Sequence, residues 1–225
     1  MKKNLFKYLA ISGTALLTLF VAGQSFAASA PFTDLANTSA KSKIVSLQEK
    51  GVLNGVGGGY FLPNSAITAA QGIQLMVNAL DLNIDLLRFI KEPKATDYYA
   101  NAKNDAWYAD TLIIAANNGL DLPADLKPDQ AWSREAFTHQ LILAMEKHSN
   151  LPMIKIKPVD ITDAADFTNG YDGSIQRAIV LGIAALDAKG NFHPADPITR
   201  ADAAVMTYNA LQYIEAHPAP AGGES

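Results

Sequence analysis

The chain has 225 residues, no cysteine and a formal net charge of −4 at pH 7. This acidic balance argues against nucleic acid or an anionic membrane as the partner. Without cysteine we expect neither disulfides nor a lipid anchor carried by a modified cysteine. Since 49% of the residues are apolar, the chain has enough material for a substantial core.

Residues 1–27 are predicted to be a signal peptide. Three lysines precede an apolar run from Leu9 to Val21, and Ser25-Phe26-Ala27 forms a small-x-small cleavage pattern. We expect the chain to be exported, with no membrane insertion after cleavage, because the run is short for a span and no second one follows. A cysteine-free exported chain with this leader indicates a Gram-positive bacterium, one with a single membrane.

The remaining chain repeats one pattern three times, and each copy opens with an acidic residue in a loop: Asp34, Asp97 and Asp163. A first helix follows and ends at Gly51, Gly119 or Gly182, because glycine commonly closes a helix in the left-handed conformation. Apolar residues seven and four positions before each glycine predict one buried face: Ile44, Leu47, Leu112, Ala115, Ile175 and Ala178.

The loops after these helices fix the register of the repeats. Residues 59–63 and 190–194 share the pattern Gly-x-Phe-x-Pro, whereas the second copy keeps only Leu126-Lys127-Pro128. In every copy the proline lies six residues before the start of the next helix. The second copy has therefore lost residues on one side of the loop only, which favours a true internal repeat over a chance match.

A second helix in each copy is predicted to begin behind Thr68, Ser133 or Thr199. These hydroxyl residues are typical N-caps, and Gln71 and Asp202 stand where a capping box needs them. Apolar residues recur behind the caps at helical spacing and predict core positions: Val77, Leu80, Ile142, Met145, Tyr208 and Leu211.

Arg134 and Arg200 follow two of the caps, where the helix dipole disfavours a cation. A guanidinium beside unpaired first-turn amides would form an anion site suited to a carboxylate or phosphate. The alternative is pairing with nearby carboxylates of the chain itself. Those candidates are Asp196 or Asp202 for Arg200, and Glu135 or Asp129 for Arg134.

Trp107 stands five residues before Leu112 in the second copy. It could be a half-buried core residue or an exposed platform for stacking a sugar ring. The other copies have Ser39 and Gly170 at this position, with Tyr171 as a candidate substitute for the indole in the third.

Three segments lie outside the pattern. Residues 82–94 are predicted to form a short helix broken at Pro93, and residues 153–157 an extended segment. The tail at 217–225 is rich in proline, alanine and glycine and is expected to be disordered.

From about Phe32 to Leu211 the chain resembles the S-layer homology (SLH) domain of bacterial surface proteins. The resemblance rests on motifs that recur in register: Phe32-x-Asp34, Gly51-Val52-Leu53-Asn54-Gly55, the two Gly-x-Phe-x-Pro loops, Trp107 and Ile198-Thr199-Arg200-Ala201-Asp202. It implies three tandem units at 28–91, 92–155 and 156–216, named here the first, second and third repeats.

The resemblance also implies an all-α fold, in which three helix-loop-helix repeats form a pseudo-threefold prism around a central three-helix bundle. Grooves between the units of that family bind secondary cell wall polysaccharide, often pyruvylated, and a surface-layer protein is a second partner to consider. No cofactor is implied. The positions that would contact the glycan are Arg134, Arg200, Trp107, Asp34, Asp97, Asp163, Gly51 and Gly182.

Some positions depart from the family pattern. Ala69 replaces the arginine in the first repeat, the third repeat lacks the second glycine after its first helix, and the second has the shortened loop. We therefore expect two usable sites at most.

An enzyme and a protein-binding scaffold are the two alternatives to glycan binding. The sequence offers an enzyme little, since it has no nucleophile elbow, and Glu135 and His139 could share a metal only with a third ligand that is not evident. The second alternative is a degenerate SLH scaffold that serves protein–protein contacts or surface-layer assembly without binding glycan.

Overall fold

The computed structural model describes residues 31–149 and 157–218, and it arranges them as helices joined by loops. The six α-helices of this part are α1 Lys41–Glu49, α2 Ala69–Ala79, α3 Ala109–Asn117, α4 Arg134–His148, α5 Asp172–Val180 and α6 Arg200–Ala216. Within these two ranges there is no strand, only isolated bridges, so the predicted all-α class is confirmed. The signal peptide, residues 153–156 and residues 219–225 lie outside the described residues.

The second helix of each repeat begins where the sequence predicts. Thr68 Oγ1 accepts a hydrogen bond from the Gln71 amide at 3.3 Å, while Gln71 Oε1 accepts one from the Thr68 amide at 3.1 Å. Ser133 and Thr199 accept the equivalent bonds at 3.2 and 3.0 Å. Helices α2, α4 and α6 therefore each start behind a hydroxyl N-cap.

The first helices end at the predicted glycines, which adopt φ values of +72°, +68° and +70° at Gly51, Gly119 and Gly182. The amide after each glycine bonds back to a carbonyl five residues earlier, as from Val52 to Leu47 at 2.9 Å. This is the bonding of a Schellman motif. The apolar faces that lead up to these stops are fully buried, as predicted.

The helices contact one another across repeats. The capped helices α2, α4 and α6 touch pairwise, as a central three-helix bundle requires, and each shorter helix packs on the capped helix of a neighbouring repeat. Helix α3 packs on α2, α5 packs on α4 and α1 packs on α6. The α1–α6 contact thus joins the first repeat to the third in the same way as the α3–α2 contact joins the second to the first. The prism shape stays a prediction.

A closed ring of backbone hydrogen bonds joins the residues that immediately precede the caps. The amide of Ile67 donates to Ile198 at 3.1 Å, Ile198 donates to Trp132 at 3.0 Å, and Trp132 donates to Ile67 at 3.0 Å. Each residue therefore gives one bond and receives one. The three helix starts are related in the same way around this ring.

The predicted core positions of the capped helices separate into two groups. Val77, Ile142 and Met145 are buried, and Leu80, Tyr208 and Leu211 are half-buried.

The predicted helix within residues 82–94 is wrong. Asn83 Oδ1 accepts the Asp85 amide at 3.3 Å, and the Leu87 amide bonds to Ile84 at 2.9 Å, so the segment runs through tight turns. Leu82 is buried and Ile84 packs against the core, but the apolar side chains from Leu86 to Ile90 are exposed, with Leu86 95% exposed. A short helix gains most of its stability by packing an apolar face, and this segment packs only its first apolar residues.

Candidate functional site

The first-turn amides of the capped helices are already hydrogen-bonded, so the expectation of unpaired amides beside the arginines was wrong. The Arg200 amide donates to Ser65 at 2.8 Å, and the Ala201 amide donates to Pro63 at 2.9 Å. Helix α4 makes the same bonds with the third repeat's loop, and α2 with the second repeat's loop. The shared spacing between proline and helix start therefore serves a contact between repeats, and these amides are not free to bind an anion.

The Arg200 guanidinium is fixed by backbone and by an aromatic ring. Its Nε donates to the Phe61 carbonyl at 2.6 Å, its Nη2 donates to the Asn54 carbonyl at 3.1 Å, and the group lies over the Phe61 ring, 4.6 Å from the centroid. Burial lowers the pKa of Arg200, and the nearby charge of Asp34 opposes that shift. Among residues 31–149 and 157–218 Arg200 has no ion pair, so neither expected pairing with Asp196 or Asp202 is observed.

Arg134 occupies the equivalent place one repeat away, but within the described residues its Nε makes no hydrogen bond like that of Arg200 to the phenylalanine carbonyl. Its Nη2 donates to the Ala185 carbonyl at 3.0 Å, and its guanidinium lies 5.1 Å from the Phe192 ring centroid. In addition, its Nη1 is 3.9 Å from Asp202 Oδ2, so a carboxylate of the chain faces this cation. Burial lowers the pKa of Arg134, while Asp202 and Asp196 act in the opposite direction.

The alternative partners of Arg134 lie elsewhere. Glu135 Oε1 and Oε2 accept hydrogen bonds from the Thr168 hydroxyl and amide at 2.7 and 2.9 Å. Its carboxylate therefore ties α4 to the opening loop of the third repeat. Within the described segments there is no cluster of three metal-ligating side chains, and the suggested Glu135–His139 metal pair finds no third ligand.

Where the first repeat lacks its arginine, the facing loop also lacks the phenylalanine that an arginine would cover. Arg200 and Arg134 each cover the phenylalanine of a neighbouring repeat's loop, Phe61 and Phe192. In the second repeat's loop that position is Leu126, and the helix whose start meets this loop begins with Ala69. The cation and the ring are therefore absent together at this third junction.

A cleft of about 430 Å³ lies beside Arg200 and is lined by residues from all three predicted repeats. Trp107, 57% exposed, forms part of its wall, so the indole is a surface platform and not a core residue. The polar lining residues are Arg200, Asn54, Gln71, Gln74 and Asn78. We call this cavity the Arg200 cleft.

The positions equivalent to the Arg200 cleft differ at the other two junctions. Beside Arg134, Asp202 takes the place of Gln71 and Ser39 that of Trp107, so a carboxylate and a hydroxyl replace an amide and an indole.

At the Ala69 junction, His139 takes the place of Gln74. It stacks on the Tyr171 ring, with centroids 4.0 Å apart, and its Nδ1 lies 2.9 Å from Ser174 Oγ. Burial lowers the pKa of His139 and raises that of Tyr171. One face of Tyr171 is therefore already covered from within the chain.

Asp34 and Asp163 hold the phenylalanine loops in place. Asp34 accepts the Phe61 and Leu62 amides at 2.9 and 2.7 Å, and Asp163 accepts the two equivalent amides, both at under 3 Å. Leu62 has φ of +59°, a left-handed conformation that a branched side chain disfavours. The slight burial of each carboxyl would raise its pKa, but the amide hydrogen bonds outweigh it and lower the pKa. Asp34 thereby positions the carbonyl and the ring that support Arg200, and Asp163 positions the ring that lies against Arg134.

The remaining predicted contacts are placed differently. Asp97 accepts the Lys94 amide at 2.9 Å and caps the 3₁₀ helix Ala95–Asp97. Gly51 and Gly182 turn the chain at their helix ends, and the residues just after Gly51 line the Arg200 cleft. Contact of any of these residues with a glycan stays a prediction.

The sequence analysis did not identify the polar stripe of α2 as part of a site. Gln71, Gln74 and Asn78 lie on one side of the helix, at the three- and four-residue spacings that share a face. This stripe, set beside the capped start of the helix, was the signal that could have found them.

The lengths and hydropathies of the described helices do not match those of a membrane span. Within 31–149 and 157–218, none is both long and apolar enough to cross a bilayer.

Two segments, residues 31–71 and 160–204, match the family model of the S-layer homology domain. They fall in the first and third predicted repeats. The chain is 26% identical over 218 residues to the surface-layer 125 kDa protein of Lysinibacillus sphaericus, covering 94% of this chain and 17% of that protein. The match supports the resemblance in these two repeats, while SLH character of the second stays a prediction.

Enzymes are among the relatives as well. The chain is 24% identical to the exoglucanase XynX of Acetivibrio thermocellus over 82% of this chain and 16% of the enzyme. It is 23% identical to an endoglucanase of Bacillus sp. (strain KSM-635) over 91% of this chain and 22% of the enzyme. The chain therefore spans less than a quarter of the length of each of these relatives.

Proposed function

We propose that this chain attaches non-covalently to an anionic polysaccharide of a bacterial cell wall, mainly through the Arg200 cleft. The observation that carries the proposal is that one cleft contains both the exposed indole of Trp107 and the guanidinium of Arg200, which has no ion pair among the described residues. The SLH-matching segments and the surface-layer relative support a role at the cell surface. On this proposal the protein is exported to the wall of a Gram-positive bacterium and acts as a binder without catalysing a reaction.

The chemistry of the cleft suits a pyruvylated sugar. Two donors of Arg200 are engaged by carbonyls, which leaves its Nη1 edge for a carboxylate such as that of a pyruvate ketal. The apolar face of a sugar ring would stack on Trp107. The Gln74 amide would offer the sugar hydroxyls both a donor and an acceptor. Gln71 Oε1 already accepts the Thr68 amide and Asn78 Nδ2 already donates to the Val52 carbonyl, so Gln71 would contribute mainly its Nε2 and Asn78 its Oδ1.

The three junctions are expected to contribute unequally. The Arg134 site already contains Asp202, which repels an anionic ligand and competes for the guanidinium. The Ala69 junction lacks the cation, and its Tyr171 is stacked on His139. One principal site with a weaker second one is therefore the binding stoichiometry that we propose.

A scaffold for protein contacts is the second candidate, and one observation favours it. Leu86, Leu87, Phe89 and Ile90 are all exposed within one loop, an unusual concentration of apolar side chains. A surface-layer protein or another cell-surface partner would be its binding target.

Wall sedimentation separates the two candidates. Purified, protein-free walls are mixed with the wild-type chain, with Trp107→Ala and with the paired variant Leu86→Ser/Ile90→Ser. The proposal expects retention by intact walls, loss of retention after the polysaccharide is chemically stripped, and weaker retention of Trp107→Ala alone. Equal retention by stripped walls, or full retention of Trp107→Ala, would contradict it.

A further inference from the structure

Three asparagines in the described part of the chain are followed by glycine: Asn54-Gly55, Asn118-Gly119 and Asn169-Gly170. Because glycine has no Cβ, its amide nitrogen can approach the preceding asparagine side chain. That nitrogen forms a bond to the asparagine Cγ, the Cγ–Nδ2 bond breaks, and ammonia leaves with the proton of the glycine amide. Water then opens the cyclic imide to aspartate or isoaspartate, which adds one negative charge.

The structure protects one of these pairs. Asn118 Nδ2 donates to the Asn83 and Ile114 carbonyls, both at 2.9 Å, so the leaving group is held on both sides. The Gly119 amide is engaged as well, since it donates to Ala116 at 3.1 Å. Cyclisation at Asn118 would have to break all three bonds.

Asn54 has neither form of protection. It is exposed, and within 31–149 and 157–218 neither its side-chain amide nor the Gly55 amide has a hydrogen-bond partner. Gly55 is also needed where it stands, because a Cβ there would lie 2.6 Å from both Phe32 Cε1 and the Tyr60 carbonyl oxygen. Packing therefore requires a glycine after Asn54, and the reactive Asn-Gly pair follows from that requirement.

Asn54 lies in the Arg200 cleft, and its main-chain carbonyl accepts the hydrogen bond from Arg200 Nη2 at 3.1 Å. We propose that Asn54 is a site of spontaneous deamidation, and that its conversion to aspartate or isoaspartate weakens the binding of anions in the cleft. The new carboxylate attracts the guanidinium and repels an anionic ligand. In the isoaspartate product the main chain runs through the former side-chain Cγ, and the former main-chain carbonyl that accepts from Arg200 becomes the free carboxylate.

Asn169 supplies an internal comparison. It is exposed like Asn54, but it lies outside the residues that line the Arg200 cleft. Its deamidation adds the same charge to the chain without placing it beside Arg200. The consequence for binding rests on the proposed function, whereas the chemical modification does not.

The first arm of the test measures modification alone. The full chain is incubated in mildly alkaline buffer, and peptides that contain each Asn-Gly pair are followed by mass spectrometry over time. Replacement of the amide by the acid is expected at Asn54, while Asn118 stays intact. If the Asn54 peptide remains unmodified while the Asn169 peptide converts, the site assignment is overturned.

The second arm measures binding of freshly prepared variants to purified walls. Asn54→Asp is expected to bind about tenfold more weakly than wild type, as one added charge near the guanidinium allows. Asn169→Asp should bind like wild type. The binding of Asn54→Gln, measured against its own starting value, should not decline during the incubation, whereas that of wild type should. Wild-type binding by Asn54→Asp would overturn the consequence for the cleft. If the wild-type chain binds no walls at all, the proposed function fails, and the first arm still decides the modification.

Discussion

The guanidinium of Arg200 lies 4.6 Å from the centroid of the Phe61 ring and donates a 2.6 Å hydrogen bond to the carbonyl of the same residue. These residues are far apart in the sequence, one at the start of α6 and the other in the loop after α1. The contact joins the third repeat to the first and orients the remaining donor edge of Arg200. Arg134 and Phe192 repeat the ring contact, but not the carbonyl hydrogen bond, between the second and third repeats.

Arg200→Ala and Arg134→Ala form a matched pair, since both remove a guanidinium that supports a phenylalanine loop. We predict that Arg200→Ala weakens wall binding at least tenfold, because a charge-assisted hydrogen bond contributes about 1.5–3 kcal/mol. Arg134→Ala should have a much smaller effect, and both should retain the helical circular dichroism of wild type. Equal losses of binding in a sedimentation titration would mean that the arginines act only through the fold.

The residue three positions after a cap is predicted to decide how strongly the facing arginine of a neighbouring repeat binds an anion. Gln71 faces Arg200 in this way, and Asp202 faces Arg134. Gln71→Asp places a carboxylate in the Arg200 cleft and should weaken wall binding several-fold through repulsion. Asp202→Gln removes the carboxylate 3.9 Å from Arg134 and should strengthen the second site. Calorimetry with a wall-derived oligosaccharide measures both affinity and stoichiometry. An unchanged stoichiometry for Asp202→Gln, together with unchanged affinity for Gln71→Asp, would count against this interpretation.

Asp34 and Asp163 are predicted to make stability depend on acid pH. The folded chain lowers the pKa of each carboxyl below its usual 3.8, so their contribution is present above that value. It is lost as the pH falls from about the usual value through the lowered folded pKa. Asp34→Asn should reduce the free energy of unfolding at neutral pH, and its difference from wild type should shrink on acidification.

Urea titrations of wild type and Asp34→Asn at a series of pH values would check this dependence. Asp85→Asn is a suitable control, because the Asp85 side chain accepts no hydrogen bond within the described part of the chain. A difference that stays constant down to strongly acid pH would show that the amide bonds do not depend on ionised Asp34.

The N-caps are predicted to contribute to stability independently of binding. Ser133→Ala removes the hydroxyl that accepts the Ala136 amide at 3.2 Å and should cost about 1 kcal/mol in the free energy of unfolding. Ser42→Ala, at an exposed position inside α1, should leave that free energy almost unchanged. Denaturant titration of both variants measures the two values, and equal effects would argue against a capping role for Ser133.

Local chemistry made much of the fold predictable from sequence. The hydroxyl caps, the glycine stops and the buried faces of the first helices depend on residues within a few positions of one another, and these were confirmed. Of the core positions predicted for the capped helices, Leu80, Tyr208 and Leu211 are only half-buried. The predicted helix at 82–94 was wrong because only Leu82 and Ile84 pack against the core, while the apolar residues from Leu86 to Ile90 are exposed. Periodicity alone does not contain that information.

The site was less predictable, because its parts come from distant segments. The amide of Arg200 is bonded to Ser65, and Trp107 reaches a cleft whose cation belongs to another repeat. Sequence motifs identified the arginines and the tryptophan as individual residues. They could not show that the first-turn amides were occupied, nor that Asp202 faces Arg134.

The ring formed by Ile67, Ile198 and Trp132 limits how this architecture can change in copy number. In an open array of repeats, duplication of one unit adds an end without disturbing the others. Here every donor and acceptor of the ring is used, so a fourth unit could enter only by displacing an existing partner. Growth of such a protein by gene duplication would therefore proceed in whole triplets, each closing on itself.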